Sequence, residues 1–264
     1  MQANTFDIIS FTADIDWAPD FLIDEMAQTF IDHEIKCTWF VTHESAAVDR
    51  LKESKYFELG IHPNFHEGSS HGKTEDEVIQ FCKKMLPKTR VVRMHALHQN
   101  SYLLRKLQNE YDIDIDCSLF LPHTSNLIPH LFYHDRHRKP LFRIPFNWED
   151  DVECLTPHQT WVFDPGILTR QGIKMFNFHP MYVGINESDF QQYSSIKSQL
   201  CRNKKLSELG ASELAPYINN GMGVKTFLRS LLQYIQRNKL ATYWPSEIET
   251  LYHQQMKSEQ VNFS

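Results

Sequence analysis

Asp7-Ile8-Ile9-Ser10-Phe11-Thr12-Ala13-Asp14-Ile15-Asp16-Trp17 alternates, then runs apolar like a buried strand, and ends on two carboxylates. Asp14 and Asp16 stand i, i+2, a spacing that a strand's period of two places on one face. Two like charges at a buried strand end are costly, and a metal ion with a network of donors offsets that cost. The C-terminal ends of parallel barrel strands are where such sites collect. The competing reading is an exposed turn rich in Asp. This stretch does not choose between the two, and the choice falls to histidines further along.

Outward from that strand, Pro19 is placed to open a helix whose Phe21, Leu22, Met26, Phe30 and Ile31 recur at helical spacing. Cys37 to Thr42 reads as a second buried strand, so a right-handed βαβ unit is expected. The alternation continues with a strand over Tyr56 to His62, a helix over Glu75 to Leu86, a strand over Arg90 to Met94 and a helix over Ser101 to Tyr111. A fifth strand is expected over Ile113 to Ser118. An irregular region follows, marked by Pro122, Pro129, Pro140 and Pro145 and holding a strand at Leu141 to Ile144. Ile173 to Phe178 is the next strand. Residues 187–221 are weakly periodic and read as a peripheral insertion or helical excursion within a single domain spanning 1–264. Val224 to Lys239 is a strong amphipathic helix, Leu240 to Trp244 is expected as the last strand, and the tail after Tyr252 is expected to fray.

Composition narrows the function classes. With 264 residues, the chain is long enough to close a barrel of strand-helix units. A hydrophobic share of 41% against 23% charged is ordinary for a globular protein, and no run approaches the roughly 20 apolar residues of a membrane span. The first strand begins close to Met1 without the features of a secretory signal, so the expected location is the cytoplasm. Five widely spaced cysteines without a CxxC pair read as reduced thiols. The net charge of −6, from 27 basic and 33 acidic residues, has the wrong sign for a nucleic-acid partner. Fourteen histidines are the unusual count, and imidazole is the commonest metal ligand, so spacing must select among them.

Gly60-Ile61-His62-Pro63-Asn64-Phe65-His66 makes that selection. His62 and His66 stand i, i+4, the spacing that sets two imidazoles on one face of a helical turn, and Pro63 suits a strand-to-turn junction. With the Asp pair, this resembles the polysaccharide deacetylase (NodB-homology) family, carbohydrate esterase family four. Asp14-Ile15-Asp16 is similar to that family's first motif, one aspartate serving as general base and the other as metal ligand. His62-Pro63-Asn64-Phe65-His66 is similar to its His-(Ser/Thr)-x-x-His motif, with Pro in place of the hydroxyl residue. A third motif, Arg followed by Pro and an aromatic, is matched only at Arg93, since Met94-His95-Ala96 follows. Phe176-Asn177-Phe178-His179 resembles the late histidine motif. The resemblance covers residues 7 to about 182 and is nearest to deacetylase-like proteins of surface-polysaccharide loci.

The resemblance and the strand-helix alternation together imply a distorted (β/α) barrel of about seven strands with its site at the C-terminal rim. The resemblance further implies Asp16, His62 and His66 as ligands of a divalent metal, zinc first, with cobalt, nickel or iron also suited to the mixed donor set. The metal would activate a water, Asp14 would take its proton, Arg93 would fix the direction of Asp14, and His179 would protonate the departing amine. The expected substrate is an acylated amino sugar or saccharide precursor.

Further residues carry two readings each. His95 and His98 line the pocket or orient ligands, or are incidental; Asp116 orients His179 or binds substrate. Trp17 and Trp148 stack on sugar or pack in the core, and the run Glu149-Asp150-Asp151 makes polar rim contacts or is a solvated loop, the second being expected. Two competing functions stay open. One is a haloacid dehalogenase-type phosphatase with Asp14 as nucleophile, which phosphate release would reveal. The other is a deacetylase-like saccharide-binding protein without turnover, which binding without product would reveal.

Overall fold

The computed structural model of the protein describes residues 6–134 and 139–261. Strands and helices alternate through β1 (Ile8–Asp14), α1 (Asp20–Asp32), β2 (Cys37–Val41), α2 (Ala46–Glu53), β3 (Phe57–Ile61), α3 (Glu75–Met85), β4 (Val91–Val92), α4 (Ser101–Tyr111) and β5 (Ile115–Phe120). Then come β6 (His130–Phe132), β7 (Leu141–Phe146), β8 (Trp148–Glu149), α5 (Asp150–Leu155), β9 (Ile173–Phe178) and α6 (Pro180–Ile185). The chain ends in helices: α7 (Gln191–Gln199), α8 (Ala211–Leu214), α9 (Val224–Arg237) and α10 (Pro245–Val261). Among the described residues no helix is long and apolar enough to cross a membrane, and the five cysteines are unpaired.

The strands form one sheet in the order β6-β7-β5-β4-β3-β2-β1-β9-β8, with β6 antiparallel to β7 and the other pairs parallel. The sheet is rolled. Arg93, just past β4, donates to the Cys117 carbonyl of β5, the Thr12 hydroxyl of β1 and the Asn177 side chain of β9. Its guanidinium also lies over the rings of Phe40 in β2 and Phe146 in β7, at 4.7 and 4.2 Å. Because β7 and β9 stand near opposite ends of the sheet order, one side chain reaches both only if those ends approach each other. They do: β8 follows β7 after the single residue Asn147, whose N–H donates to the Met175 carbonyl of β9 at 3.4 Å. With β8 as the continuation of β7, and β6 as an added edge, seven places go round a distorted barrel whose ladder is interrupted at that seam.

The period of two in β1 sorts its side chains between two cores. Ile9, Phe11 and Ala13 face the helical layer, while Ile8 faces inward with Phe40, Ile115, Phe142, Ile144, Phe146, Ile173 and Met175. Gly60 makes room for that interior, since a Cβ there would stand 2.6 Å from the Phe40 ring. At the N-terminal end of the barrel, Ile248, Leu251 and Tyr252 of α10 pack on the same interior. The outer layer is closed in part by α9, which buries Leu228, Leu231 and Leu232, each worth about 1.5–3 kcal/mol of apolar burial.

Several expectations change. Leu240 to Trp244 is not a strand: the Tyr243 N–H reaches the Ile9 carbonyl, but Pro245 starts α10 before a ladder can extend. The segment beyond Tyr252 continues that helix to Val261, and the end of the tail expected to fray, residues 262–264, lies outside the described residues. Residues 187–221 form the helical excursion, one of the two expected readings, and they send Ile196, Leu206, Leu209 and Leu214 into the outer core. The irregular region contains β6, and β7 is two residues longer than expected.

Candidate active site

The β1 strand ends at Asp14, so Asp14 and Asp16 do not share a strand face as expected. Asp16 and Trp17 turn into left-handed conformation, with φ of 38° and 56°, while the Trp17 N–H donates to Thr42 Oγ1 at 3.2 Å and the Ala18 N–H to the Ile15 carbonyl at 2.7 Å. A non-glycine residue held there costs roughly 1–2 kcal/mol, and strain of that kind collects at functional sites. The turn brings Asp16 over the end of the barrel, beside the Asp14 that β1 delivers from within.

His62 follows β3 directly. Its Nδ1 lies 2.7 Å from the Arg93 carbonyl, which can only accept, so Nδ1 carries hydrogen and Nε2 points into the site. That Nε2 stands 3.2 Å from Asp16 Oδ1. His95 Nδ1 stands 3.1 Å from the same oxygen and 3.3 Å from His62 Nε2. A tetrahedral ion with bonds of about 2.0–2.1 Å separates its ligand atoms by about 3.3 Å, so these three donors are spaced as a divalent cation requires.

His66 is elsewhere. Its exposed ring lies 6.1 Å from that of His95 and 6.1 Å from that of His98. The expected helical turn between His62 and His66 does not form. The Pro63 carbonyl accepts the His95 N–H at 3.0 Å and the Asn64 side chain accepts the His66 N–H at 3.0 Å, which holds the chain extended and then bent.

Asp14 is gripped from both sides. Arg93, fully buried, approaches Oδ1 at 3.2 Å, and Asn177 Nδ2 donates to Oδ2 at 3.0 Å. Asn177 also donates to Glu149 Oε1 at 2.8 Å, and its Oδ1 accepts from Thr12 and Arg93, so the amide orientation is fixed. His179, on the inward face two residues beyond Asn177, donates through Nδ1 to Asp150 Oδ1 at 2.6 Å, and its backbone N–H reaches Asp150 Oδ2 at 2.8 Å. Its Nε2 then stands 3.7 Å from Asp16 Oδ2 and 4.0 Å from Asp14 Oδ2.

Electrostatics follow from that packing. Burial works against a charged His179, but the charge and hydrogen bond of Asp150, with Asp151 and Asp16 behind it, hold its pKa well above the usual imidazole range. Burial likewise pushes Asp150 up to about 6 against the pull of His179, and pushes Glu149 up to about 8 with help from Asp151. For Asp16, burial would raise the pKa, yet the close approach of His62 and His95 keeps it well below the carboxylate range. Asp14, Asp16, His62, His95, Glu149 and His179 line a pocket of about 290 Å³ together with Leu97, Phe120 and Asp151.

Of the residues expected at the site, Asp14, Asp16, His62, Arg93 and His179 come together, and His66 stands outside. Asp116 does not meet His179; it pairs with Arg143 at 2.7 Å. Glu149 and Asp150 are buried, not a solvated loop, because β8 carries them to the rim as β1 carries Asp14. Trp148 packs against Phe178 and Phe227 in the core. Sequence reasoning missed Asn177 and Asp150. Met175, Asn177 and His179 share the period of two, and that signal could have found Asn177.

The chain is similar to known proteins in sequence and in fold. A family model described as WbmS-like polysaccharide deacetylase matches residues 11–197. Among solved structures, a Bordetella bronchiseptica protein, WbmS, is 27% identical over 87% of this chain and 91% of its own, with a TM-score of 0.70. That protein is described, provisionally, as a polysaccharide deacetylase involved in O-antigen biosynthesis. No curated protein matches the chain.

Proposed function

Because the chain belongs to the WbmS-like polysaccharide deacetylase family, we propose that it is a metal-dependent hydrolase that removes an N-acyl group, acetyl in the simplest case, from an amino sugar of a surface-polysaccharide precursor. The observation that carries this reading is the convergence of Asp14 and His179, with Oδ2 and Nε2 4.0 Å apart, on one pocket beside the donors Asp16 and His62. The role of the structural relative in O-antigen biosynthesis supports the saccharide class. Family membership also displaces the phosphatase alternative.

Asp16 and His62, with a third imidazole, would hold the cation, whose identity as zinc rests on the mixed nitrogen and oxygen donor set. A divalent ion there supplies a Lewis acid that polarises an acyl carbonyl and acidifies water. Asp14 takes a proton from the attacking water, its carboxylate aimed by Arg93 and Asn177. As the carbon–nitrogen bond breaks, His179 gives its Nε2 proton to the departing nitrogen, and its raised pKa keeps that proton available at neutral pH. The products are a carboxylate and a free amino sugar. Arg93 and Asn177 hold Asp14 against rotation, and Asp150 does the same for His179.

The test is amine release from N-acetylated amino sugars by the zinc-loaded protein and by its Asp14→Asn and His179→Ala variants. Each variant should lose about 10²- to 10⁴-fold in kcat. Sugar binding by all three proteins without any product would select the non-catalytic reading.

A further inference from the structure

We infer that His95, and not the His66 of the i, i+4 pair, completes the cation-binding set of this chain with Asp16 and His62. The inference rests on the reading of the site as a metal centre and specifies which imidazole closes it.

Three atoms make the case. Asp16 Oδ1, His62 Nε2 and His95 Nδ1 stand 3.1 to 3.3 Å apart, whereas His66 lies behind His95, ring centre to ring centre 6.1 Å. His95 is also held in place. Its N–H is fixed to the Pro63 carbonyl, its ring meets the edge of Trp17 at 5.3 Å, and the chain beyond it turns left-handed at Ala96 and Leu97, with φ of 50° and 54°. Both donors that join His62 are thus presented by non-glycine left-handed turns, one after β1 and one after β4. Strain repeated at two facing turns is the mark of a site whose first contacts have been set by the fold.

Nothing comparable carries His66 inward. Its loop is pinned in the outward arrangement: the Asn64 N–H donates to His71 Nδ1 at 3.1 Å, and His71 Nε2 donates to the Thr42 carbonyl at 2.7 Å. The His66 N–H is itself held by the Asn64 side chain at 3.0 Å, so bringing His66 to the cation requires that loop to be rebuilt. The stretch Arg93-Met94-His95-Ala96, which departs from the expected Arg-Pro-aromatic pattern, is the one that supplies the alternative ligand.

Cobalt(II) titration of the metal-free full chain tests this directly, read by the visible d–d absorption of the bound ion and by competition with a chromogenic chelator. His95→Ala should weaken cobalt binding by more than about 100-fold, beyond the 10–100-fold typical of losing an outer partner, and should change the band shape. His66→Ala should stay within about threefold of the parent with an unaltered spectrum. His95→Gln, which keeps more of the packing against Trp17, guards against unfolding and should show the same loss. Weakened binding in His66→Ala with normal binding in His95→Ala, or equal weakening in both, overturns the assignment. No cobalt bound by the parent protein overturns the metal reading itself and this inference with it.

Discussion

Asp150 holds His179 by two bonds at once, Oδ1 on the imidazole Nδ1 at 2.6 Å and Oδ2 on the backbone N–H at 2.8 Å. One carboxylate therefore sets both the tautomer and the position of the ring, leaving Nε2 to face Asp14 and Asp16. Asp150→Asn preserves the shape but removes the charge that raises the His179 pKa. The expected result is a fall in kcat of about 10²- to 10⁴-fold with little change in KM, as when the orienting acid of a histidine is replaced by its amide. Unchanged kcat would exclude His179 as the proton donor.

Much of this was legible in the sequence because it follows from periodicity. The Ile173–Phe178 strand and the α4 helix over Ser101–Tyr111 are apolar or amphipathic runs with clear ends, and their bounds are those the sequence predicts, whereas β1 ends two residues before the expected Asp16. What escaped depends on chain direction at single residues. Asp16 and His95 reach the site through left-handed turns that neither propensity nor spacing announces, since no glycine marks them. The reading of Glu149 and Asp150 as solvent-facing failed for a different reason: three acids in a row look like a loop until β8 is seen to pair with β9 and carry them to the barrel end. The spacing of His66 to His62 points to a helical turn, and bonds from Pro63 and Asn64 take the place of that turn.

Arg93 is expected to matter for stability as much as for chemistry. It is fully buried, donates to a carbonyl, a hydroxyl, an amide oxygen and Asp14, and lies between the rings of Phe40 and Phe146. Arg93→Met removes one partner of a buried ion pair and leaves Asp14 without its cation, a change that costs about 3–5 kcal/mol. Arg93→Lys keeps the charge but not the planar fork, so it should recover only part of the loss. Urea denaturation of the metal-free proteins measures both, and a loss below about 1 kcal/mol for Arg93→Met would contradict a structural role.

Glu149 gives the metal-free protein a pH dependence of definite sign. Burial raises its folded pKa from an ordinary 4.5 to about 8, so between those values the folded state holds a proton that the unfolded state releases. Its contribution is fully present below about pH 4.5 and is lost as pH rises through about 8. Glu149→Gln imitates the protonated acid and still accepts from Asn177, so the variant should gain stability relative to the parent as pH goes from 5 to about 9. Denaturation midpoints that stay parallel over that range would show that Glu149 does not bind the proton.

His71 acts in the opposite direction and in a separate window. Both of its nitrogens are committed, Nε2 as donor to the Thr42 carbonyl and Nδ1 as acceptor of the Asn64 N–H, and its ring stacks on Phe81 at 4.8 Å. A second proton would have to sit on Nδ1 and face another N–H. Burial, the main cause, lowers its pKa from 6.5 to about 4. The unfolded chain therefore binds a proton that the folded chain refuses, and stability is full above about pH 6.5, declines as pH falls and levels off below about 4. His71→Phe removes the titration while keeping a ring against Phe81. The variant should be less stable at pH 7, by about 1–3 kcal/mol for its lost hydrogen bonds, yet show a shallower decline between pH 6.5 and 4. Equal slopes in the two proteins, followed by urea denaturation at half-unit steps, would mean that this histidine accepts its proton without cost and does not pin the His66 loop as its bonds indicate.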